Sequence, residues 1–77
     1  MTKQLGIPDL VDMAHAGGAQ RSSWWRLGDG PWYGTVVDAG GVEWEVEQRS
    51  TTWTATSSTQ AVATKKTIEQ LLKEICR

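Results

Sequence analysis

The segment Val42-Glu-Trp-Glu-Val-Glu47 is the strongest indication of the fold, because it carries the most regular alternation of apolar and acidic residues in the chain. Successive side chains of a β-strand point to opposite faces of its sheet. The two valines and the tryptophan are therefore expected to face a core, and Glu43, Glu45 and Glu47 are expected to face the opposite side. The pattern predicts a strand over about residues 42–48, in a sheet with one buried face.

Turn-forming residues around this strand predict an antiparallel meander. Asp38-Ala-Gly-Gly41 is typical of a hairpin loop, since its glycines supply the positive φ that such loops need. Residues 32–37 are rich in aromatic and β-branched side chains and predict a second strand, and a third is expected over about 51–56. A shorter segment, about 24–27, is a candidate fourth strand. The sequence therefore predicts three or four strands and leaves the register across the hairpin loop open.

Helices are predicted on both sides of the meander. The first, about residues 7–16, has Pro8 in its first turn and ends at Gly17-Gly18. The pattern Ser57-x-x-Gln60 fits a capping box and predicts a second helix over about 58–76, packed across the Trp44 face of the sheet. Its apolar stripe is expected to be Ala61, Val62, Lys65, Ile68, Leu71, Leu72 and Ile75. The predicted class is α+β, with residues 1–77 forming a single compact domain.

The composition indicates a small cytoplasmic protein. The 77 residues carry a net charge of −1, so no overall field favours nucleic acid or an anionic membrane. The single cysteine, Cys76, excludes an internal disulfide and a cysteine-based zinc site. No apolar run reaches the length of a signal peptide or a transmembrane helix. We therefore expect a cytoplasmic protein with no metal and no cofactor.

The sequence predicts that the protein is not an enzyme. Its one histidine, His15, falls in the last turn of the first predicted helix, where a cation interacts well with the helix dipole. Cys76 lies near the end of the chain, where we expect fraying, and has no activating neighbour in sequence. Gly28-Asp-Gly30 precedes a strand and not a helix, so no helix N-terminus would meet a bound phosphate there.

Two adjacent aromatic pairs precede the hairpin loop and predict a binding surface. On a strand, the two rings of such a pair point to opposite faces, and the sequence leaves open which ring is exposed. Tryptophan, tyrosine and arginine are enriched in interface hot spots. The candidate anchoring residues are Trp24, Trp25, Arg26, Trp32 and Tyr33. The alternative is that one ring of each pair is buried and the other rests on the first helix.

The three glutamates predict a regular line of negative charge. Alternate residues of a strand repeat at about 6.4–6.8 Å, which is of the same order as the spacing of phosphates along a nucleic-acid strand. We expect Glu43, Glu45 and Glu47 to bind a basic groove on a protein partner. The alternative is an ordinary solvated strand face.

A nucleic-acid-binding module is the alternative function. Helix, three strands and helix, with Lys65 and Lys66 early in the last helix, resembles the double-stranded-RNA-binding domain. The tryptophan-rich strands followed by a helix resemble the arm-binding domain of phage integrases. Lys73 and Arg77 would add phosphate contacts to such a surface. The acidic middle strand and the negative net charge depart from both families.

Taken whole, the chain is similar in size, architecture and acidic-strand character to anti-CRISPR proteins, which are small single domains encoded by phages and other mobile elements. The resemblance covers the whole length and rests on general character, because no signature motif carries it. It implies an inhibitor that binds a host protein or nucleoprotein complex with a basic surface, a CRISPR effector being one candidate. It implies action in the host cytoplasm by a monomer or weak homodimer.

Overall fold

The structure, a computed structural model, describes residues 6–76. Along this part of the chain, the elements are α1 (Ile7–Gly17), β1 (Arg21–Trp25), β2 (Tyr33–Val37), β3 (Glu43–Gln48), β4 (Trp53–Ser57), β5 (Val62–Lys65) and α2 (Ile68–Ile75). Each strand pairs antiparallel with the next, so the sheet order is β1-β2-β3-β4-β5. The predicted α+β class and antiparallel sheet are confirmed, but the sheet has five strands where three or four were predicted.

Both helices cover the same face of the sheet. Val46, on the central strand β3, is buried between Gly34 of β2 and Ala55 of β4, which lie opposite it in register. Helix α1 packs against β1 and α2, and α2 packs against β4 and β5. The buried core consists of Leu10, Ala14, Ala19, Trp24, Trp32, Val36, Val46, Trp53, Ala55, Ile68, Leu71, Leu72, Ile75 and Cys76. None of the helices within residues 6–76 covers the other face of the sheet.

Gly34 makes room for the Trp24 ring, which strand β1 contributes to this core. Gly34 lies directly opposite Trp24, and a Cβ atom added to Gly34 would lie 2.2 Å from Cε3 of the Trp24 ring. The indole therefore lies across the backbone of β2 at a position where any other residue would collide with it. The indole Nε1 donates a hydrogen bond of 2.9 Å to the Ser22 hydroxyl, so burial leaves this polar group satisfied.

The prediction of a long C-terminal helix over about residues 58–76 is wrong for the first part of that range. Residues Val62–Lys65 form the edge strand β5, which pairs with β4, and α2 begins only at Ile68. Thr67 caps this helix by accepting a hydrogen bond of 3.1 Å from the Gln70 N–H. The four core positions that fall within α2 (Ile68, Leu71, Leu72 and Ile75) are buried as predicted, whereas Ala61, Val62 and Lys65 belong to the turn and to β5.

Ser57 closes a turn and does not cap a helix. Its hydroxyl accepts hydrogen bonds from the backbone N–H groups of Thr59, at 3.2 Å, and Ala61, at 3.0 Å. A serine side chain can satisfy nearby N–H groups equally well in a turn or at a helix start, so the capping-box pattern did not discriminate between them. The other strands differ from prediction by a few residues at their ends: β1 begins at Arg21, for example, and ends before Arg26.

Candidate partner-binding face

The sheet surface opposite the helices, hereafter the open face, gathers side chains from all five strands. Antiparallel register arranges them in cross-strand rows, because residues paired across strands point to the same side. The two central rows are Trp25, Tyr33, Glu47, Thr54 and Thr64, and Ser23, Thr35, Glu45, Thr56 and Val62. Aromatic rings therefore lie toward the β1 edge, carboxylates along the middle and hydroxyl groups toward the β5 edge.

The structure shows which ring of each aromatic pair points outward. Trp25 is 53% exposed and stacks on Tyr33, with ring centroids 4.8 Å apart and an interplanar angle of 21°. Trp24 and Trp32 are each 5% exposed and pack in the core, so neither contributes a ring to the open face. The exposed aromatic surface is thus a single stacked pair at one end of the open face.

Arg26 lies beside the core, in the loop between β1 and β2. Its guanidinium carbon is 4.6 Å from the centroid of the Trp32 ring, a cation–π contact that occupies this arginine within the chain. The backbone N–H of Trp32 donates a hydrogen bond of 3.0 Å to the Gln48 side chain, which ties the same loop to β3. Arg26 therefore holds the loop end of the sheet and is separate from the Trp25–Tyr33 pair on the open face.

The predicted placement of Glu43, Glu45 and Glu47 on one face is confirmed. Glu47 lies opposite Tyr33, and Glu43 and Glu45 are exposed. Arg49 Nε is 3.0 Å from Glu47 Oε1, whereas no ion pair joins Glu43 or Glu45 to another residue in the 6–76 range. The open face consequently carries two uncompensated carboxylates in the middle of the sheet.

The aromatic pair shares one shallow depression with two of the three carboxylates, Glu45 and Glu47, and Glu43 lies outside its lining. Its volume is about 300 Å³, and its lining includes Trp25, Tyr33, Glu45, Glu47 and Arg49. The remaining walls are threonine side chains and the backbone of the central strands. The depression can therefore offer a ligand apolar ring surface, negative charge and hydroxyl hydrogen bonds at the same time.

Asp38 fixes the hairpin between β2 and β3, where the sequence had indicated only a loop. The side chain is 8% exposed; Oδ1 accepts hydrogen bonds of 2.9 Å from the N–H groups of Gly40 and Val42, and Oδ2 accepts one of 3.1 Å from Trp44 Nε1. The bond from Trp44 and those from the loop backbone outweigh desolvation and lower the pKa of Asp38. An aspartate at the start of a glycine-rich loop is the signal that predicts such a turn.

The basic residues of the alternative function are not brought onto the open face. Lys65 pairs in register with the buried Trp53, which places it on the helix-covered side of β5, and Lys66 follows in the exposed link to α2. Lys73 lies on α2, where its Nζ is 3.8 Å from Glu69 Oε1. Arg77 lies outside the described residues. The described lysines thus do not combine with the Trp25–Tyr33 pair into one surface.

Cys76 is buried, in contrast to the frayed position that the sequence indicated. It is 2% exposed, and both desolvation and the negative charge of Asp38 raise the pKa of its thiol. His15 is exposed on α1. Across residues 6–76, no three histidine, cysteine, aspartate or glutamate side chains come together as a metal site. The helices in this range are all too short or too polar to cross a membrane.

No protein-family model, curated protein or solved structure matches this chain.

Proposed function

We propose that this chain is a non-enzymatic protein-binding domain that uses its open face to bind a partner with a basic surface. The observation that carries the proposal is the junction, in one depression, of the half-exposed Trp25–Tyr33 pair with Glu45 and Glu47 of β3. Exposed aromatic side chains are the usual anchors of protein interfaces. Carboxylates around them supply charge complementarity and speed association with a basic partner.

We propose further that the partner is a host protein or nucleoprotein complex, and that binding inhibits it in the host cytoplasm. The resemblance to small phage-encoded anti-CRISPR proteins supports this narrower part. Glu43, Glu45 and Glu47 would occupy a basic groove in which the partner otherwise holds nucleic acid, and one copy of the domain would block one groove. Inhibition would therefore be stoichiometric, and it would weaken as salt concentration rises.

The two side chains most suited to catalysis support a binding role more than an enzymatic one. A cysteine acts as a nucleophile through its thiolate, and burial beside Asp38 keeps Cys76 in the protonated form. His15 lies on α1, which covers the side of the sheet opposite the depression, and the lining of the depression contains no histidine or cysteine.

Affinity capture with matched variants tests the proposal. The immobilised full chain, the variant Glu43→Gln/Glu45→Gln/Glu47→Gln and the control Asp12→Asn/Glu69→Gln/Glu74→Gln would be exposed to the same host lysate. The control also removes three negative charges, but from the helices. Proteins bound by the original chain and by the control should be lost from the open-face variant by at least about tenfold, since several charge pairs are removed. Equal capture by all three proteins contradicts the proposal.

An electrophoretic mobility-shift assay at several salt concentrations distinguishes the proposed function from the alternative, a nucleic-acid-binding module. A domain that binds through lysines should retard DNA or RNA at low salt and lose it steeply as salt rises. We expect no retardation at any salt concentration, because Lys65 lies on the helix-covered side of β5, Lys73 is beside Glu69 on α2, and the open face is acidic. Retardation that Lys65→Gln/Lys66→Gln abolishes would support the alternative and count against the proposed function.

A further inference from the structure

The open face already holds one guanidinium group of its own. Arg49 lines the same depression as Trp25 and Tyr33, and its Nε lies 3.0 Å from Glu47 Oε1. Both side chains of this ion pair are largely exposed, at 62% for Arg49 and 42% for Glu47, so the pair is screened by solvent and contributes little stability. The row that contains the aromatic pair therefore accepts a guanidinium, and the stability of the fold depends little on this ion pair.

A second carboxylate in the depression has no such partner within residues 6–76. Glu45 lies two residues before Glu47 on β3, between Thr35 and Thr56, and it is exposed. It is the diagonal neighbour of Tyr33, and diagonal neighbours on adjacent strands are about 7–8 Å apart. A planar group of the size of a guanidinium can span that gap, with one surface against an aromatic ring and its edge toward the carboxylate.

We propose that the depression binds an arginine side chain of the protein partner, whose guanidinium lies against the exposed Trp25–Tyr33 rings and donates hydrogen bonds to Glu45. The inference rests on the proposed function and specifies the chemistry of the partner. Arginine fits better than lysine, because its planar group can stack on a ring and present an edge of N–H donors at once. The neighbouring carboxylate, Glu47, is already paired with Arg49 of the same chain. The site can therefore take one incoming arginine.

A set of three blocked peptides tests this inference on the full chain. The probes are Gly-Ser-Arg-Ser-Gly and the same sequence with lysine or with uncharged citrulline at the centre. Binding is followed by amide and indole chemical shifts of the ¹⁵N-labelled protein. We expect the arginine peptide to bind several-fold more tightly than the lysine peptide and the citrulline peptide to cause no shifts. The affected signals should be those of Trp25, Tyr33 and β3.

Three variants make the test specific to the proposed contacts. Glu45→Gln should weaken binding of the arginine peptide several-fold. Arg49→Ala should strengthen it, because the substitution frees Glu47, and the helix control Glu69→Gln should leave it unchanged. Equal affinity for arginine and lysine peptides, no shifts with any peptide, or no effect of Glu45→Gln would each overturn the arginine inference. Those outcomes leave the proposed function to the capture experiment, which does not depend on the identity of the basic residue.

Discussion

Asp38 shows how one side chain sets the geometry of a neighbouring strand. Its two carboxylate oxygens accept hydrogen bonds from the loop backbone and from the Trp44 indole, which fixes both the β2–β3 hairpin and the orientation of that ring. The hairpin in turn sets the register in which Tyr33, and not Trp32, lies opposite Glu47. The composition of the open face thus depends on a residue that does not belong to it.

The lowered pKa of Asp38 predicts a stability that depends on pH. The folded state favours the carboxylate, so its contribution is complete above the ordinary pKa of an aspartate, about 3.9. It is lost as the pH falls through the lower pKa of the folded state. In urea unfolding at neutral pH, Asp38→Asn should lower the free energy of unfolding by about 1–3 kcal/mol, because an amide donor then faces Trp44 Nε1.

The control for this prediction is Asp29→Asn, at an exposed position of the β1–β2 loop. The difference in stability between the original chain and Asp38→Asn should shrink below about pH 4, and the control measures the effect of removing one negative charge outside this hydrogen-bond network. A difference that stays constant from neutral to acidic pH would show that the charge of Asp38 does not matter.

Gly34 is the second residue that determines which side chains face the core and which lie on the open face. A methyl group at this position would collide with the Trp24 ring, as a Cβ would lie 2.2 Å from it. Gly34→Ala should therefore destabilise the protein by about 1–3 kcal/mol, as overpacked cores generally do. Chemical denaturation of Gly34→Ala, Trp24→Leu and the double variant measures the coupling, and the double variant should be less destabilised than the sum of the two. Strict additivity would argue against the predicted collision.

At the scale of elements, the turn between β4 and β5 explains why the last helix is short. Gln60 has a φ of 71°, in the left-handed region that residues with a side chain rarely adopt. Its backbone N–H bonds to the Ser57 carbonyl at 2.9 Å, which reverses the chain so that β5 can pair with β4. The unpaired backbone groups of β4 thereby gain partners, and the helix starts only after this strand is complete.

The strained turn position predicts a stabilising substitution. Gln60→Gly should raise the free energy of unfolding by up to about 1 kcal/mol, because glycine adopts positive φ without steric cost. Thermal and urea unfolding would measure the gain. Thr59→Gly, at the neighbouring turn position, serves as the control and should lower stability, since it removes the hydrogen bond of 2.7 Å between the Thr59 and Ser57 hydroxyls and adds flexibility to the unfolded chain. A loss of stability in Gln60→Gly would contradict the prediction.

At the scale of the whole molecule, both helices are used on one side of the sheet. Helix α1 covers the β1 side and α2 covers the β4–β5 side, which closes one core and leaves the open face to solvent. The buried Trp24 and the exposed Trp25 are therefore neighbours in sequence that lie on opposite faces of the sheet. One kind of ring stabilises the fold, and the other is free to contact a partner.

Alanine substitutions of the two adjacent tryptophans should separate these roles. Trp24→Ala should cost about 3–5 kcal/mol, as expected for a buried aromatic residue. Trp25→Ala should cost only about 0.5–1.5 kcal/mol, through loss of the stack on Tyr33, yet it should lower partner affinity by at least about tenfold. Urea unfolding and binding to a captured partner measure the two effects. If the Trp25→Ala variant binds the partner normally, the Trp25 ring is not part of the interface.

The sequence alone was enough to predict a strand over about residues 42–48, which the structure has as β3 (Glu43–Gln48), and to place its three glutamates on one face, since alternation is a local property of an extended chain. It did not determine which of Trp24 and Trp25 is buried, because that depends on a glycine on the opposite strand. Nor did it determine the structure of residues 58–67, where the same side-chain pattern suits a helix or a turn and strand. Both points depend on the three-dimensional structure, because cross-strand hydrogen bonds and ring packing join residues that are distant in sequence.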